Sequence, residues 1–159
     1  MIIKRLYTLC ILLYHSFIFL AGPFNKKASL YLRGRKKWHI KLLKSIKPNE
    51  KWIWFHCASL GEFEDCCETF FSIKDKYPNH KTLLTFYSPS GFEVMKSSRD
   101  FDLVLYMPLD IKLNATRFLD ALQPSMIFFS RSELWYNFLT EIKKREIFLC
   151  LLALKSRVQ

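Results

Sequence analysis

Trp52-Ile53-Trp54-Phe55-His56-Cys57-Ala58-Ser59-Leu60-Gly61-Glu62 is the stretch on which the fold turns. Its first half is a nearly unbroken apolar and aromatic run, the pattern of a strand buried on both faces. It then breaks into small residues and opens a helix. Leu60, Phe63, Cys67, Phe70, Phe71 and Lys74 recur there at helical spacing, until Tyr77-Pro78-Asn79 stops it. A carboxylate, Glu62, stands at the helix entrance. Strand-to-helix turns are where α/β proteins converge backbone N–H groups and side chains on one crevice.

The alternation repeats downstream. Lys81–Tyr87, Asp102–Met107, Ser125–Ser130 and Glu146–Ala153 read as further strands. Phe92–Ser98, Ile111–Leu122 and Glu133–Arg145 read as the helices between them, with Ser88-Pro89-Ser90-Gly91 as a turn and Pro124 as a helix stop. Apolar strands alternating with helices predict an α/β fold, a Rossmann-like parallel sheet flanked by helices. Its crevice loops would be His56–Glu62, Ser88–Gly91, Pro108–Asp110 and Ser130–Glu133.

Upstream the chain changes character. The net charge is +11, and residues 1–50 carry eleven Lys/Arg against a single acid, Glu50. Leu6 to Gly22 is mostly apolar and about the shortest stretch that spans a bilayer. Lys4 and Arg5 precede it; Lys26, Lys27, Arg33, Arg35, Lys36, Lys37 and Lys41 follow it. The heavier positive flank lies downstream, so by the positive-inside rule residues 23–159 are expected on the cytoplasmic side. A helix lying in the membrane plane fits the short length and His15. A cleaved signal is the rival, opposed by the missing A-x-A site and by the downstream charge. Residues 28–48 read as a basic amphipathic connector at the membrane surface, or as a solvated helix on the domain's side. A basic arm beside an apolar anchor favours anionic lipid over nucleic acid. The expected organisation is therefore an anchor (1–22), a connector (23–50) and a Rossmann-like domain (51–159).

The five cysteines, Cys10, Cys57, Cys66, Cys67 and Cys150, are odd in number and contain no C-x-x-C, which argues for reduced thiols rather than a disulfide framework or zinc site. No cluster of His, Cys and acids has metal-ligand spacing. The Walker-type and dinucleotide glycine motifs are absent as well, so the expectation is no metal and no bound cofactor.

Each candidate site residue has two readings. Glu62 can act as a general base toward a hydroxyl, or as the acid of a capping box opened by Ser59. Glu133 can share the crevice, or serve as a first-turn helix acid beside Arg131. Ser88, Ser90 and Gly91 can cradle an anion at a helix start. His56 reads as facing the sheet interior or pairing locally; His39 and His80 read as surface residues.

Four stretches carry a resemblance: His56-Cys57-Ala58-Ser59-Leu60-Gly61-Glu62, Leu83-Leu84-Thr85-Phe86-Tyr87-Ser88-Pro89-Ser90-Gly91, Tyr106-Met107-Pro108-Leu109-Asp110, and Ser132-Glu133-Leu134-Trp135-Tyr136-Asn137. With the anchor and basic segment they resemble the 3-deoxy-D-manno-octulosonate (Kdo) transferase family of lipopolysaccharide assembly. The resemblance implies the N-terminal half of a GT-B glycosyltransferase. The donor substrate would be CMP-Kdo and the acceptor a lipid A precursor. Glu62 would be the base that deprotonates the acceptor hydroxyl, and Glu133 a second active-site acid. Ser59, Gly61, Ser88, Ser90 and Gly91 would line the substrate side. Arg131-Ser132-Glu133-Leu134-Trp135-Tyr136-Asn137 departs from the expected Glu-Thr-Glu-Leu-Trp-Pro-Asn: Glu133 and Trp135 are kept, but Arg131 replaces an acid, Ser132 a threonine and Tyr136 a proline.

The family's donor half has no counterpart in these 159 residues. The expectation is thus an acceptor-binding half, inactive alone: a fragment, a truncated gene product, or half of a split enzyme completed by a separately encoded C-terminal domain. The alternative is a non-catalytic, membrane-anchored module that binds an anionic glycolipid.

Overall fold

The structure, a computed structural model, describes residues 2–130 and 134–152, with side chains from residue 4 onward. Five parallel strands, β1 (Trp52–Cys57), β2 (Lys81–Phe86), β3 (Leu103–Tyr106), β4 (Pro124–Ser130) and β5 (Phe148–Leu152), form one sheet in the order β3-β2-β1-β4-β5. The helices are α1 (Ile2–Ala21), α2 (Lys26–Arg35), α3 (Trp38–Ser45), α4 (Leu60–Lys76), α5 (Pro89–Met95), α6 (Lys112–Leu122) and α7 (Tyr136–Lys144). This is the α/β, Rossmann-like layer that the apolar strand runs predict.

β1 is central, and all six of its residues are buried. Its alternate side chains feed two cores. Ile53, Phe55 and Cys57 join Phe63, Phe70, Leu84, Phe86 and Phe128 under α4. Trp52 and Trp54 join Leu42, Phe118, Phe129 and Phe138 under α3, α6 and α7. The Trp54 ring lies 4.7 Å from Phe118, 5.0 Å from Phe129 and 5.5 Å from Phe138, centroid to centroid. Burial on both faces is why the strand carries no polar alternation.

The chain winds from β1 outward through β2 and β3, then returns to β4 on the other side of β1. This reversal puts a crevice outside the carboxyl ends of β1 and β4.

Three elements sharpen the sequence reading. The helix after the Ser88-Pro89-Ser90-Gly91 turn begins at Pro89 rather than Phe92, with Ser88 as its N-cap. Proline suits that place because its missing N–H is unpaired there in any case. α6 ends at Leu122 as expected, its C-cap Gln123 lies in the left-handed region with φ 44°, and Pro124 opens β4 one residue before the expected strand start. The basic segment forms α2 and α3, and both pack on the domain. Leu42 is fully buried in the α6/α7 core, with Trp38 and Ile46 against it, whereas Ile40 and Leu43 stay exposed. An amphipathic pattern names an apolar face but not the surface that covers it.

Candidate active site

Glu62 sits on the first turn of α4, half-buried at the end of β1. The local sequence builds its position. Ser59 is the N-cap, and its hydroxyl accepts the Glu62 N–H at 3.5 Å. The Glu62 Oε2 in turn accepts the Ala58 N–H at 2.7 Å and the Ser130 hydroxyl at 2.9 Å. The first bond is a capping-box contact displaced by one residue. The second comes from the end of β4 and locks the carboxylate against the neighbouring strand. Among the described residues the other oxygen, Oε1, accepts no hydrogen bond. The carboxylate is thus held by one oxygen and offers the other. Beside it, a methyl group built on Gly61 would meet nothing within 4 Å, so the backbone there faces open space.

The second loop is stitched to the first. Tyr87 N–H donates to the Cys57 carbonyl at 3.3 Å, and Ser88 N–H to the Ala58 carbonyl at 2.7 Å. The Ser88 and Ser90 hydroxyls lie 3.1 Å apart, exposed beside the Glu62 turn. Gly91 faces inward: an added Cβ would lie 2.1 Å from the Phe86 ring. Its absent side chain lets α5 close on β2, and that packing accounts for the glycine. Glu133, with Arg131 and Ser132, lies outside the described residues.

Behind these loops runs a buried polar chain. Trp135 Nε1–H donates to His56 Nε2 at 3.1 Å. An indole N–H can only donate, so Nε2 is the acceptor and the imidazole proton sits on Nδ1. That nitrogen lies 2.9 Å from Thr85 Oγ1 and 3.2 Å from the Thr85 carbonyl. Trp54 Nε1–H also donates to Thr85 Oγ1, at 2.8 Å. His56 therefore pairs within the sheet and fixes Trp135, which stacks 4.7 Å from Tyr87. Cys57 lies beneath the same turn, its sulfur 3.5 Å from that of Cys66. Burial pushes the Cys57 thiol well above its usual pKa, and the neighbouring Cys66 adds to the shift.

Sequence reasoning placed Ser130 and Asp110 on crevice loops and Arg35 in the basic flank, but singled out none of them as a site residue. Asp110 is buried and caps α7: its oxygens accept the Asn137 N–H at 3.1 Å and the Phe138 N–H at 3.0 Å. The Tyr7 hydroxyl of α1 donates to it at 2.7 Å. Arg35 of α2 donates to the Tyr87 carbonyl at 2.7 Å, and its guanidinium carbon lies 3.6 Å over the Tyr31 ring. Among the described residues no carboxylate pairs with it; Tyr87 and Tyr106 complete an aromatic cage. The signals were faint. Ser130 was a polar end to an apolar strand, and Asp110 a lone acid in a Pro-Leu-Asp loop.

No group of three or more His, Cys, Asp and Glu able to hold a metal occurs among the described residues. The chemistry within reach is proton abstraction by a positioned carboxylate.

A parallel sheet reversing at β1, with a carboxylate held at the switch point, defines a Rossmann-like α/β domain with a crevice at its strand ends. The chain belongs to the 3-deoxy-D-manno-octulosonic-acid transferase (kdotransferase) family, whose family model matches residues 33–155. It is 34% identical over 93 residues to the 3-deoxy-D-manno-octulosonic acid transferase of Aquifex aeolicus, covering 57% of this chain and 25% of that protein. The enzyme of the same name from Chlamydia pneumoniae is 31% identical over 124 residues, 74% of this chain and 26% of its own. That of Haemophilus influenzae is 29% identical over 101 residues, 63% and 24% respectively. The chain spans about a quarter of the length of these relatives.

Proposed function

We propose that this domain holds the acceptor in the transfer of Kdo from CMP-Kdo to a lipid A precursor in lipopolysaccharide synthesis, with Glu62 as general base. The observation that carries the reading is the Glu62 carboxylate. Ala58 N–H and Ser130 Oγ fix one of its oxygens, and among the described residues the other accepts no hydrogen bond. A sugar hydroxyl is a poor nucleophile. A carboxylate within hydrogen-bond reach takes its proton as the C–O bond forms at the anomeric carbon and CMP departs. Ser88 and Ser90 present hydroxyls on the same side, suited to hydrogen-bonding the acceptor. Donor recognition in this reading rests on a second domain, so these 159 residues by themselves transfer little or no sugar.

The test supplies the chain with a C-terminal donor-binding domain, CMP-Kdo and lipid A precursor. Turnover in that mixture, reduced about 10²- to 10⁴-fold by Glu62→Gln with acceptor binding retained, is the expected result. Near-wild-type turnover by Glu62→Gln overturns the base assignment. Glycolipid binding without turnover in any mixture favours the non-catalytic module.

The reading also places the domain on the cytoplasmic face of the inner membrane. Lys4–Ala21 is long and apolar enough to cross a bilayer by length and composition. Its docking supports a helix lying in the membrane plane instead. Lys4, Tyr7, Thr8, Ile11, His15, Ile18 and Gly22 are half-buried, one stripe at helical spacing. Leu6, Leu9, Leu13, Phe17 and Leu20 are exposed. Tyr7 bonds Asp110, and the His15 ring lies 6.0 Å from Tyr31, so contact runs along the helix. A spanning helix held this way would draw the domain into hydrocarbon. A protease-cleavable tag ahead of α1 should be cut from the cytoplasmic side; cutting only from the opposite side would establish a span.

A further inference from the structure

A groove of about 470 Å³ lies between α1 and the start of α6, lined by Lys4, Arg5, Thr8, Leu9, Leu12 and Lys112. The Tyr7–Asp110 bond assembles it, because it joins the start of α1 to a residue two positions before Lys112. None of the three cations has a carboxylate partner among the described residues. Three cations elsewhere do find acids: Lys81 pairs with Asp102, Lys96 with Glu93, and Arg145 with Asp120 and Glu141. Three unpaired positive charges gathered in one groove repel one another unless an anion joins them.

The other wall is apolar. Leu9 and Leu12 are about half exposed, and they continue into the exposed leucines and phenylalanines of α1. A free anion has no use for that wall, and neither does a nucleic acid backbone. An amphiphile with an anionic head and a hydrocarbon tail satisfies both walls at once.

We propose that this groove seats the phosphate headgroup of an anionic membrane phospholipid, with its acyl chains against Leu9 and Leu12. Its lining shares no residue with the Glu62 crevice. The proposal rests on the membrane reading above and not on sugar transfer. Lys112 is the informative residue, since it belongs to the globular domain and gains access to lipid only if α1 docks as described.

The test is flotation of the full chain with vesicles of phosphatidylcholine, alone or with phosphatidic acid. The wild type should favour the phosphatidic acid vesicles. Lys112→Ala should lower that partitioning about fivefold, the equivalent of roughly 1 kcal/mol per cation near an anionic surface, and leave binding to phosphatidylcholine unchanged. Lys143→Ala, an exposed lysine on α7 outside the groove, should change neither. Equal losses in the two variants would reduce the effect to diffuse charge and overturn the site. Equal binding to both vesicle types would also overturn it while leaving the membrane reading intact; no binding to either would sink both. Dihexanoyl phosphatidic acid should release the chain from the anionic vesicles, whereas inorganic phosphate at equal ionic strength should not. Equal release by inorganic phosphate would assign the groove to a free anion and overturn the lipid.

Discussion

Replacing Asp110 tests how the crevice is held together. Its carboxylate accepts two backbone N–H groups at the start of α7 and the Tyr7 hydroxyl, in a site only 1% exposed. Asp110→Ala strands both amides where water cannot replace the acceptor, at about 1–3 kcal/mol each. Part of that is returned, because the buried carboxylate no longer has to be desolvated. The expected loss is about 3 kcal/mol. At a urea slope of about 2 kcal/mol/M it lowers the unfolding midpoint by about 1.5 M. Asp110→Asn keeps one acceptor oxygen and should lose about half as much. Circular dichroism during urea unfolding in a non-ionic detergent measures both.

The pH dependence gives a second reading of the same residue. Burial raises the Asp110 pKa, against the bonds from Tyr7 and the α7 amides that lower it. The folded value thus lies above the unfolded one. The group's contribution is fully present below about 3.9, the ordinary carboxylate value, and is lost as pH rises through the raised one. Asp110→Asn should abolish that decline. A midpoint for Asp110→Ala within about 0.25 M urea of the wild type would refute the capping role, and an unchanged pH profile in Asp110→Asn would refute the burial-raised pKa.

Two further substitutions and one titration follow from the same geometry. Gly91→Ala forces a methyl group to 2.1 Å from the buried Phe86 ring and should destabilise by about 1–3 kcal/mol in thermal unfolding. Gly61→Ala, facing open space in the first turn of α4, should be neutral or stabilise by up to about 1 kcal/mol; the reverse order would contradict the packing described. At Asp102, burial raises the pKa, but the bonds from Lys81 and Thr82 outweigh it and hold the carboxyl below its usual value. Its contribution, at most about 1 kcal/mol for so exposed a pair, is present above the ordinary carboxylate value and lost as pH falls through the lowered one. Asp102→Asn should flatten that part of an acid-unfolding curve.

The parts of the molecule differ in how they were encoded. β1 is legible because a strand covered on both faces must be apolar at every position, and Trp52 to Cys57 nearly is. The α4 start is legible because Ser59 and Glu62 satisfy orphan N–H groups within one turn. Ser88 and Gly91 were only partly so: the turn residues were visible, but Gly91 is a glycine because Phe86 lies above it. The apolar residues of α2 and α3 carried no label saying whether lipid or the sheet would cover them.

Residues 52–152 thus determined by themselves the strand-helix alternation, the α/β class and the place of Glu62 on a crevice loop, because each follows from local periodicity and capping. Only the tertiary structure decided what surrounds that carboxylate. Ser130 reaches Glu62 across 68 positions and Tyr7 reaches Asp110 across 103. Hydrogen bonds at such separations leave no periodic trace in a chain, since their partners are matched by the sheet order and not by spacing.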